Sequence, residues 1–277
     1  MAVEAAEMVD EFEEGHVGSV TVTAKRLLED AVKKSGRRST VQLVEGFARV
    51  QSRDETSTGL SRLFGMGEVP LKIYLTLVML TRGSPHVMYR IVPDHYWAEL
   101  LGYEELNEAD PIPGSGTRRV KRAMAALEAG DSAGVHWISR EKIRGRGAQI
   151  EVTHPPGETR APWITIPLEL WSHGWINVMS ARALYVYLCL RLMLAGKPDD
   201  QGVHVSSWDR DRMLVKDDTW QRGISELKEL KLVRCDFARV VVDRWSTDLR
   251  KRMVYFLNNS YLKENESPLE PVSKHGT

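Results

Sequence analysis

Cysteine is scarce in this sequence, and neither sign of charge is in excess. Two cysteines, Cys189 and Cys235, are present, and 38 Lys and Arg balance 38 Asp and Glu. Two cysteines within predicted secondary structure provide neither a disulfide framework nor a zinc site, and they are the usage expected in a reducing cytosol. A net charge of zero excludes a uniformly basic coat, so any surface that binds nucleic acid has to be local.

Apolar runs long enough to cross a membrane are also missing, and so are the sequence motifs of common enzyme classes. No stretch reads as a membrane span, and the first residues lack a basic start followed by an apolar core, so we expect no signal peptide and a cytoplasmic location. The sequence has no Gly-x-x-x-x-Gly-Lys-Ser/Thr loop and no nucleophile motif. His95 and Glu99 are spaced to share a metal, but no third ligand is evident nearby. We therefore expect neither enzymatic activity nor a cofactor.

Two apolar runs of helical length organise the chain. Residues 180–195 are almost uncharged and too short to span a bilayer, so they predict a buried core helix. Residues 71–81 have the same character. After residues 180–195, the pattern predicts a helix near residues 208–214 and a helix over residues 217–231. A two-stranded ribbon with a charged loop at residues 246–252 follows. Three helices followed by such a ribbon are typical of a winged helix-turn-helix.

The same order is predicted upstream, which suggests an internal repeat. Helices over residues 93–102 and 117–130 precede two strands, residues 135–143 and 148–154, with a basic glycine-rich tip between them. A shift of one hundred residues superposes Val120, Arg122, Met124 and Leu127 on Trp220, Arg222, Ile224 and Leu227. The apolar members share one helix face, so we favour two copies of one unit, although any two amphipathic helices can match at four positions by chance.

These patterns divide the chain into six segments, with an overall class that is mainly α with small β-hairpin wings (α+β). They are an acidic flexible tail (1–22), a helical N-terminal segment and connector (23–69), a first winged-helix domain (70–154), a linker (155–162), a second winged-helix domain (163–262) and a flexible C-terminal tail (263–277). Residues 1–14 contain six acids and no base. Thr23 is the predicted cap of the first helix, and the polar residues 52–67 are the predicted connector.

Basic residues cluster at the third helix and the wing of the first predicted domain. A helix-turn-helix lays its third helix in the major groove of DNA, while the wing contacts flanking phosphates. Arginine can fork onto guanine, either cation neutralises phosphate, and hydroxyls at a helix start bond to phosphate. The candidate contacts are Ser115, Thr117, Arg118, Arg119, Lys121, Arg122, Arg140, Lys142, Arg144 and Arg146. The alternative is that these charges only keep one face of an amphipathic helix solvated. Because they cluster both at the start of the helix and at the wing tip, we favour contact with DNA.

The second predicted domain is a weaker candidate for reading DNA. Its third helix opens with Asp217 and Asp218, predicted caps whose charge would repel phosphate. Dimerisation is an equally good use of this domain. Trp208 and Trp220 are predicted to lie in the core or at a domain interface. The candidate DNA contacts of this domain are Thr219, Gln221, Arg222, Arg250, Lys251 and Arg252.

Residues 163–190 and 219–233 resemble winged-helix proteins of bacteria, including transcription regulators and plasmid replication initiators. Extended to the paired residues 70–154 and 163–257, the resemblance covers about two thirds of the chain. It implies tandem winged helices and sequence-specific binding of double-stranded DNA, as a transcription regulator or a plasmid-type replication initiator. A homodimer on a palindromic site would be natural, and the N-terminal segment offers a surface for a protein partner. The competing hypothesis is a winged-helix protein-interaction scaffold that does not bind DNA directly.

Overall fold

The computed structural model describes residues 21–103, 114–143, 147–153, 163–241 and 249–267. Within these ranges the chain combines helices with small antiparallel sheets, which agrees with the predicted α+β class. Several predicted features lie outside the described residues: the acidic tail up to residue 20, the linker 155–162, Arg144 and Arg146 at the wing tip, and residues 268–277.

The helices are α1 (Val22–Ser35), α2 (Gly59–Met66), α3 (Glu68–Leu80), α4 (Asp94–Leu100), α5 (Ser115–Ala129), α6 (Glu169–Ser172), α7 (Trp175–Val178), α8 (Ala181–Met193), α9 (Ser207–Arg212), α10 (Asp217–Glu229) and α11 (Asn259–Glu264). The strands are β1 (Thr40–Val44), β2 (Val87–Val92), β3 (Ile138–Ile143), β4 (Gly147–Val152), β5 (Trp163–Pro167), β6 (Val233–Val241) and β7 (Leu249–Leu257).

The two apolar runs form the buried helices α3 and α8, as their sequences predict. Every side chain from Ala183 to Leu190 in α8 is buried, and so is every side chain from Pro70 to Met79 in α3. Each fully buried Leu, Ile or Val contributes about 1.5–3 kcal/mol relative to its exposed state. None of the described helices has the length and apolar character needed to cross a membrane.

Around α3, the order of elements is helix, strand, helix, helix, strand, strand. Strand β2 follows α3, and then come α4, α5, β3 and β4. The three strands form one antiparallel sheet in the order β2-β4-β3. Strand β2 was not predicted, because only Met88 of its six residues is buried and its sequence shows no clean alternation of apolar and polar side chains.

The same order recurs around α8. Val203 forms an antiparallel bridge with Tyr255 of β7, with N–O distances of 2.9 and 2.8 Å in the two directions. Helices α9 and α10 follow, and β6 then pairs with β7. The superposed positions of α5 and α10 also agree in burial. Val120, Met124, Leu127, Trp220, Ile224 and Leu227 are buried, while Arg122 and Arg222 are exposed.

The N-terminal segment has more structure than its sequence predicts. Thr21, not Thr23, caps α1, because its extended backbone lets Oγ1 accept a hydrogen bond from the Ala24 amide at 3.0 Å. Residues 59–66 of the predicted connector form α2, which Thr58 and Ser61 cap reciprocally. Strand β1 pairs with β5, the first element of the predicted second domain. This pairing ties the N-terminal segment to the chain 120 residues downstream.

One continuous hydrophobic core runs through the described residues, from Leu28 in α1 to Leu262 in α11. The start of the predicted C-terminal tail belongs to this body as well. Residues 263 and 264 complete α11, and the amide of Ser267 donates to the His173 carbonyl at 3.0 Å. Ser267 is accordingly buried.

An ion pair within α3, between a buried lysine and a glutamate whose side chain is 38% exposed, lies where this helix meets α8. The Lys72 side chain is 2% exposed, and its Nζ donates to Glu68 Oε1 at 2.7 Å and to the Asn177 carbonyl at 2.9 Å. Glu68 also accepts hydrogen bonds from the Ala181 amide and the Tyr103 hydroxyl, both at 3.3 Å. Burial raises the pKa of Glu68, but the Lys72 ammonium and these donors together hold it below its usual value. This pair links the two repeated arrangements of elements.

Candidate nucleic-acid interface

The start of α5 is positioned by glycine. Gly114 precedes the helix in the left-handed region, with φ 75°. A Cβ on Gly116 would lie 2.0 Å from the Tyr103 carbonyl oxygen, so only glycine allows the helix to pass this backbone. The sequence therefore fixes where α5 begins and which of its residues form the first turn.

The exposed face of α5 is cationic. Arg118, Arg119, Lys121 and Arg122 are exposed, whereas Val120, Met124 and Leu127 are buried on the opposite side. No acid of the described residues forms an ion pair with Arg118, Lys121 or Arg122. Arg119 lies over the Tyr103 ring, 5.4 Å from its centroid.

Two alanines complete this face. Arg118 and Arg122 are four residues apart, and Ala125 and Ala129 continue their row along the helix. Both alanines are exposed. Small side chains beside arginine let a helix approach another surface closely, and alanine can contact a thymine methyl group. The sequence analysis overlooked these alanines, because they carry no chemical signal of their own.

The wing strand β3 places Arg140 and Lys142 on one side of the sheet, since they are two residues apart. Lys142 is exposed. Arg140 is held by Glu128 of α5, with its Nε and Nη2 donating to Glu128 Oε2 at 2.9 and 2.5 Å. Its side chain is only 16% exposed. Arg140 therefore joins the wing to α5, and Lys142 is the more accessible cation of the two.

A groove of about 670 Å³ separates α4 and α5 from the wing. Four predicted residues meet at this groove: Thr117, Lys121, Arg140 and Lys142. Asp94 and His95, in the N-terminal turn of α4, also line the groove, a position that the sequence did not predict for either of them. The apolar residues that line the groove include Val92, Trp97, Met124, Ile143 and Ile150. The helix and the wing thus present their cations around one concavity.

The start of α10 differs from the start of α5. Asp217 and Asp218 are not caps, because the N-cap position is held by Lys216 and both acids lie in the first helical turn, where they favour the helix dipole. Asp217 pairs with Arg210 at 2.9 Å, and Asp218 pairs with Arg222 at 2.9 Å. Gln221 and Arg222 are exposed, and Thr219 is half-buried. The charge of Arg222, which was predicted to contact DNA, is therefore partly neutralised by Asp218.

The ribbon of β6 and β7 carries the remaining predicted cations, Arg250, Lys251 and Arg252, all exposed. Lys251 Nζ lies 5.0 Å from the centroid of the Phe237 ring, and Phe237 is 57% exposed. Leu249 and Met253 are exposed as well, so this ribbon mixes apolar and cationic surface. The sequence analysis did not identify these three apolar residues, since apolar residues in a strand usually predict burial.

The two predicted core tryptophans have different positions. Trp220 is fully buried, and its Nε1 donates to the Tyr255 hydroxyl at 3.2 Å, as expected of a core residue. Trp208 is 60% exposed, so its predicted core or interface position is wrong within this chain. The guanidinium groups of Arg49 and Arg212 lie over its ring, at 5.9 and 5.0 Å from the centroid. These contacts give the exposed indole its local partners.

Burial raises the pKa of the Cys189 thiol, and partial burial raises that of Cys235. Both thiols therefore stay protonated at neutral pH. In the described part of the chain, no cluster of three or more His, Cys, Asp or Glu could hold a metal ion.

No known protein family and no curated protein matches the chain. The functional argument therefore rests on the geometry of α5, the wing and the groove.

Proposed function

We propose that this chain is a tandem winged-helix protein that binds double-stranded DNA through α5 and the adjoining wing. The observation that carries the proposal is the row of exposed cations Arg118, Lys121 and Arg122, which have no acidic partner among the described residues. Lys142 of β3 and Lys121 both line the groove. A helix with such a face, flanked by a two-stranded wing, has the arrangement that places side chains in the major groove and on flanking phosphates.

The tandem organisation is supported by the recurrence of one order of elements and one strand arrangement. In each case the strand between the first two helices pairs with the last strand of the wing. A role as a transcription regulator or plasmid-type replication initiator follows from the resemblance of the sequence to such proteins. The cysteine usage favours a cytoplasmic location. The protein acts on DNA without enzymatic chemistry.

The second arrangement of helices supports another use. Pairing of Arg222 with Asp218 lowers the free positive charge of α10, while Phe237, Leu249 and Met253 expose apolar surface on the ribbon. Exposed apolar residues of this kind mark protein contacts. We therefore assign a protein partner, or a second copy of the chain, to this region. A scaffold that binds no DNA is the competing function, and it predicts no complex with duplex DNA.

A salt titration separates the two functions. Binding of the full chain to a labelled random duplex is measured by fluorescence anisotropy from low to physiological salt. If Arg118, Lys121, Arg122 and Lys142 each neutralise one phosphate, the slope of log K against log salt is about −3.6, because each contact contributes about −0.9. A scaffold gives no anisotropy change even at the lowest salt, which would overturn the proposal.

A further inference from the structure

The groove between α4, α5 and the wing offers a binding surface that duplex DNA does not explain. Phosphates contact cations and hydroxyls, whereas Trp97, Met124 and Ile150 give the groove an apolar lining. Trp97 is 1% exposed. The apolar lining therefore favours an occupant that has apolar groups of its own.

The charge around the groove favours an acidic occupant. Lys121 and Lys142 have no ion-pair partner within the described part of the chain, and Arg140 is neutralised by Glu128. Asp94 is the one acid on the lining of the groove. The two lysines leave the rim with an excess of positive charge.

The first residues of the chain have the complementary composition. Residues 4–14 contain the six acids Glu4, Glu7, Asp10, Glu11, Glu13 and Glu14, and no base. The apolar side chains Met8, Val9 and Phe12 lie between these acids. This segment therefore carries negative charge that complements the two lysines, and apolar groups that match the apolar lining of the groove.

We propose that residues 4–14 dock in this groove of the same chain, with Phe12 against the apolar lining and the neighbouring carboxylates at Lys121 and Lys142. The groove volume of about 670 Å³ lies in the range of sites that bury ligands with apolar bodies and a few polar groups.

The segment is attached close enough to reach the groove. The described chain begins at Thr21, the cap of α1, and α1 packs against α4, which borders the groove. Helix α1 is about 21 Å long at 1.5 Å per residue. The eight residues between Phe12 and Thr21 span up to about 30 Å when extended. An intramolecular contact of this kind benefits from an effective concentration in the millimolar range.

Zero-length crosslinking tests this docking in the unmodified full chain. A carbodiimide joins carboxylates to lysine amines in direct contact, and mass spectrometry identifies the joined residues. We expect acids of residues 4–14 to couple to Lys121 and Lys142 at least about tenfold more than to the exposed Lys33, Lys34 and Lys251, since a freely moving tail samples all of them at millimolar effective concentration. An equal mixture of ¹⁴N- and ¹⁵N-labelled protein distinguishes coupling within one chain from coupling between copies.

Two variants supply matched controls. Lys142→Arg keeps the charge but removes the amine, so coupling should shift to Lys121 while the fold is unchanged. Phe12→Ser keeps the six acids, and coupling to both groove lysines should fall to the level seen at Lys251. Coupling that spreads evenly over the exposed lysines, occurs between copies, or survives Phe12→Ser undiminished would overturn the docking.

If the proposed function holds, the docked tail competes with DNA at Lys121 and Lys142. Replacing the six acids by their amides should then tighten duplex binding by about tenfold, because one competing intramolecular contact is removed. Crosslinking is measured without DNA, so the two proposals fail separately. Specific coupling in a protein that does not bind duplex DNA supports the docking and rejects the DNA function; DNA binding with dispersed coupling does the reverse.

Discussion

The triple substitution Arg118→Ala, Lys121→Ala and Arg122→Ala is expected to weaken duplex-DNA binding by about two to three orders of magnitude at physiological salt. Each lost arginine contact to a base costs about 1–3 kcal/mol. Each lost phosphate contact means that fewer counterions are released when the DNA binds. The salt slope should become shallower by about 2.7 if all three residues neutralise phosphate. Anisotropy titrations of the variant and the wild type at several salt concentrations measure both quantities.

The control for this variant removes the same charge elsewhere. Arg26, Lys33 and Lys34 are exposed on α1, so replacing them by alanine lowers the net charge by the same three units. We expect this control to change affinity by less than about threefold, because distant surface charges are screened beyond about 8 Å. Both variants should unfold at the wild-type temperature. An equal loss of affinity in the two variants would mean that general charge, rather than the α5 face, binds the DNA.

Glu68→Ala is expected to destabilise the protein by about 3–5 kcal/mol at neutral pH. The substitution leaves the Lys72 ammonium, with its 2% exposed side chain, facing only the Asn177 carbonyl. Removing the carboxylate that pairs with a buried ammonium costs this much because an uncompensated charge stays in the interior. Urea unfolding followed by tryptophan fluorescence and circular dichroism measures the difference in free energy.

Two comparisons isolate the ion pair. Adding Lys72→Met to Glu68→Ala should recover most of the loss, since no buried charge then remains. Folding lowers the pKa of Glu68, so its contribution is present above the unfolded value of about 4.3 and is lost as the pH falls through the folded pKa. The wild type and Glu68→Ala should therefore approach each other in stability under acidic conditions. A double variant no more stable than Glu68→Ala would contradict this explanation.

Periodic patterns predicted the long helices α3, α5, α8 and α10, because burial acts along the whole of one face or of the entire helix. The apolar runs of α3 and α8 and the one-sided faces of α5 and α10 were readable from spacing alone. The cap of α1 was not, since Thr21 and Thr23 have the same side chain and only the backbone conformation selects between them. The same limit applies to Asp217 and Asp218, whose carboxylates accept hydrogen bonds from arginines rather than from helix amides.

Contacts between distant residues account for what sequence reasoning missed at the site. The candidate cations of α5 were identified from clustering, but the pairing of Arg140 with Glu128 depends on how β3 packs against the helix. The groove joins α4 to the wing, and no local pattern predicts that Trp97 lies beside Met124 and Ile150. Strand β1 pairs with β5 across more than a hundred residues, which single-sequence patterns do not reveal.

The central claim is that the exposed face of α5 touches DNA, and site-specific photo-crosslinking tests it most directly. The photoreactive residue p-benzoylphenylalanine replaces Ala125 in α5 or, as a matched control, Ser225 at the superposed position of α10; both positions are exposed. The account predicts a covalent complex with labelled duplex DNA from position 125 and little from position 225. A complex from position 225 but none from position 125 would contradict it.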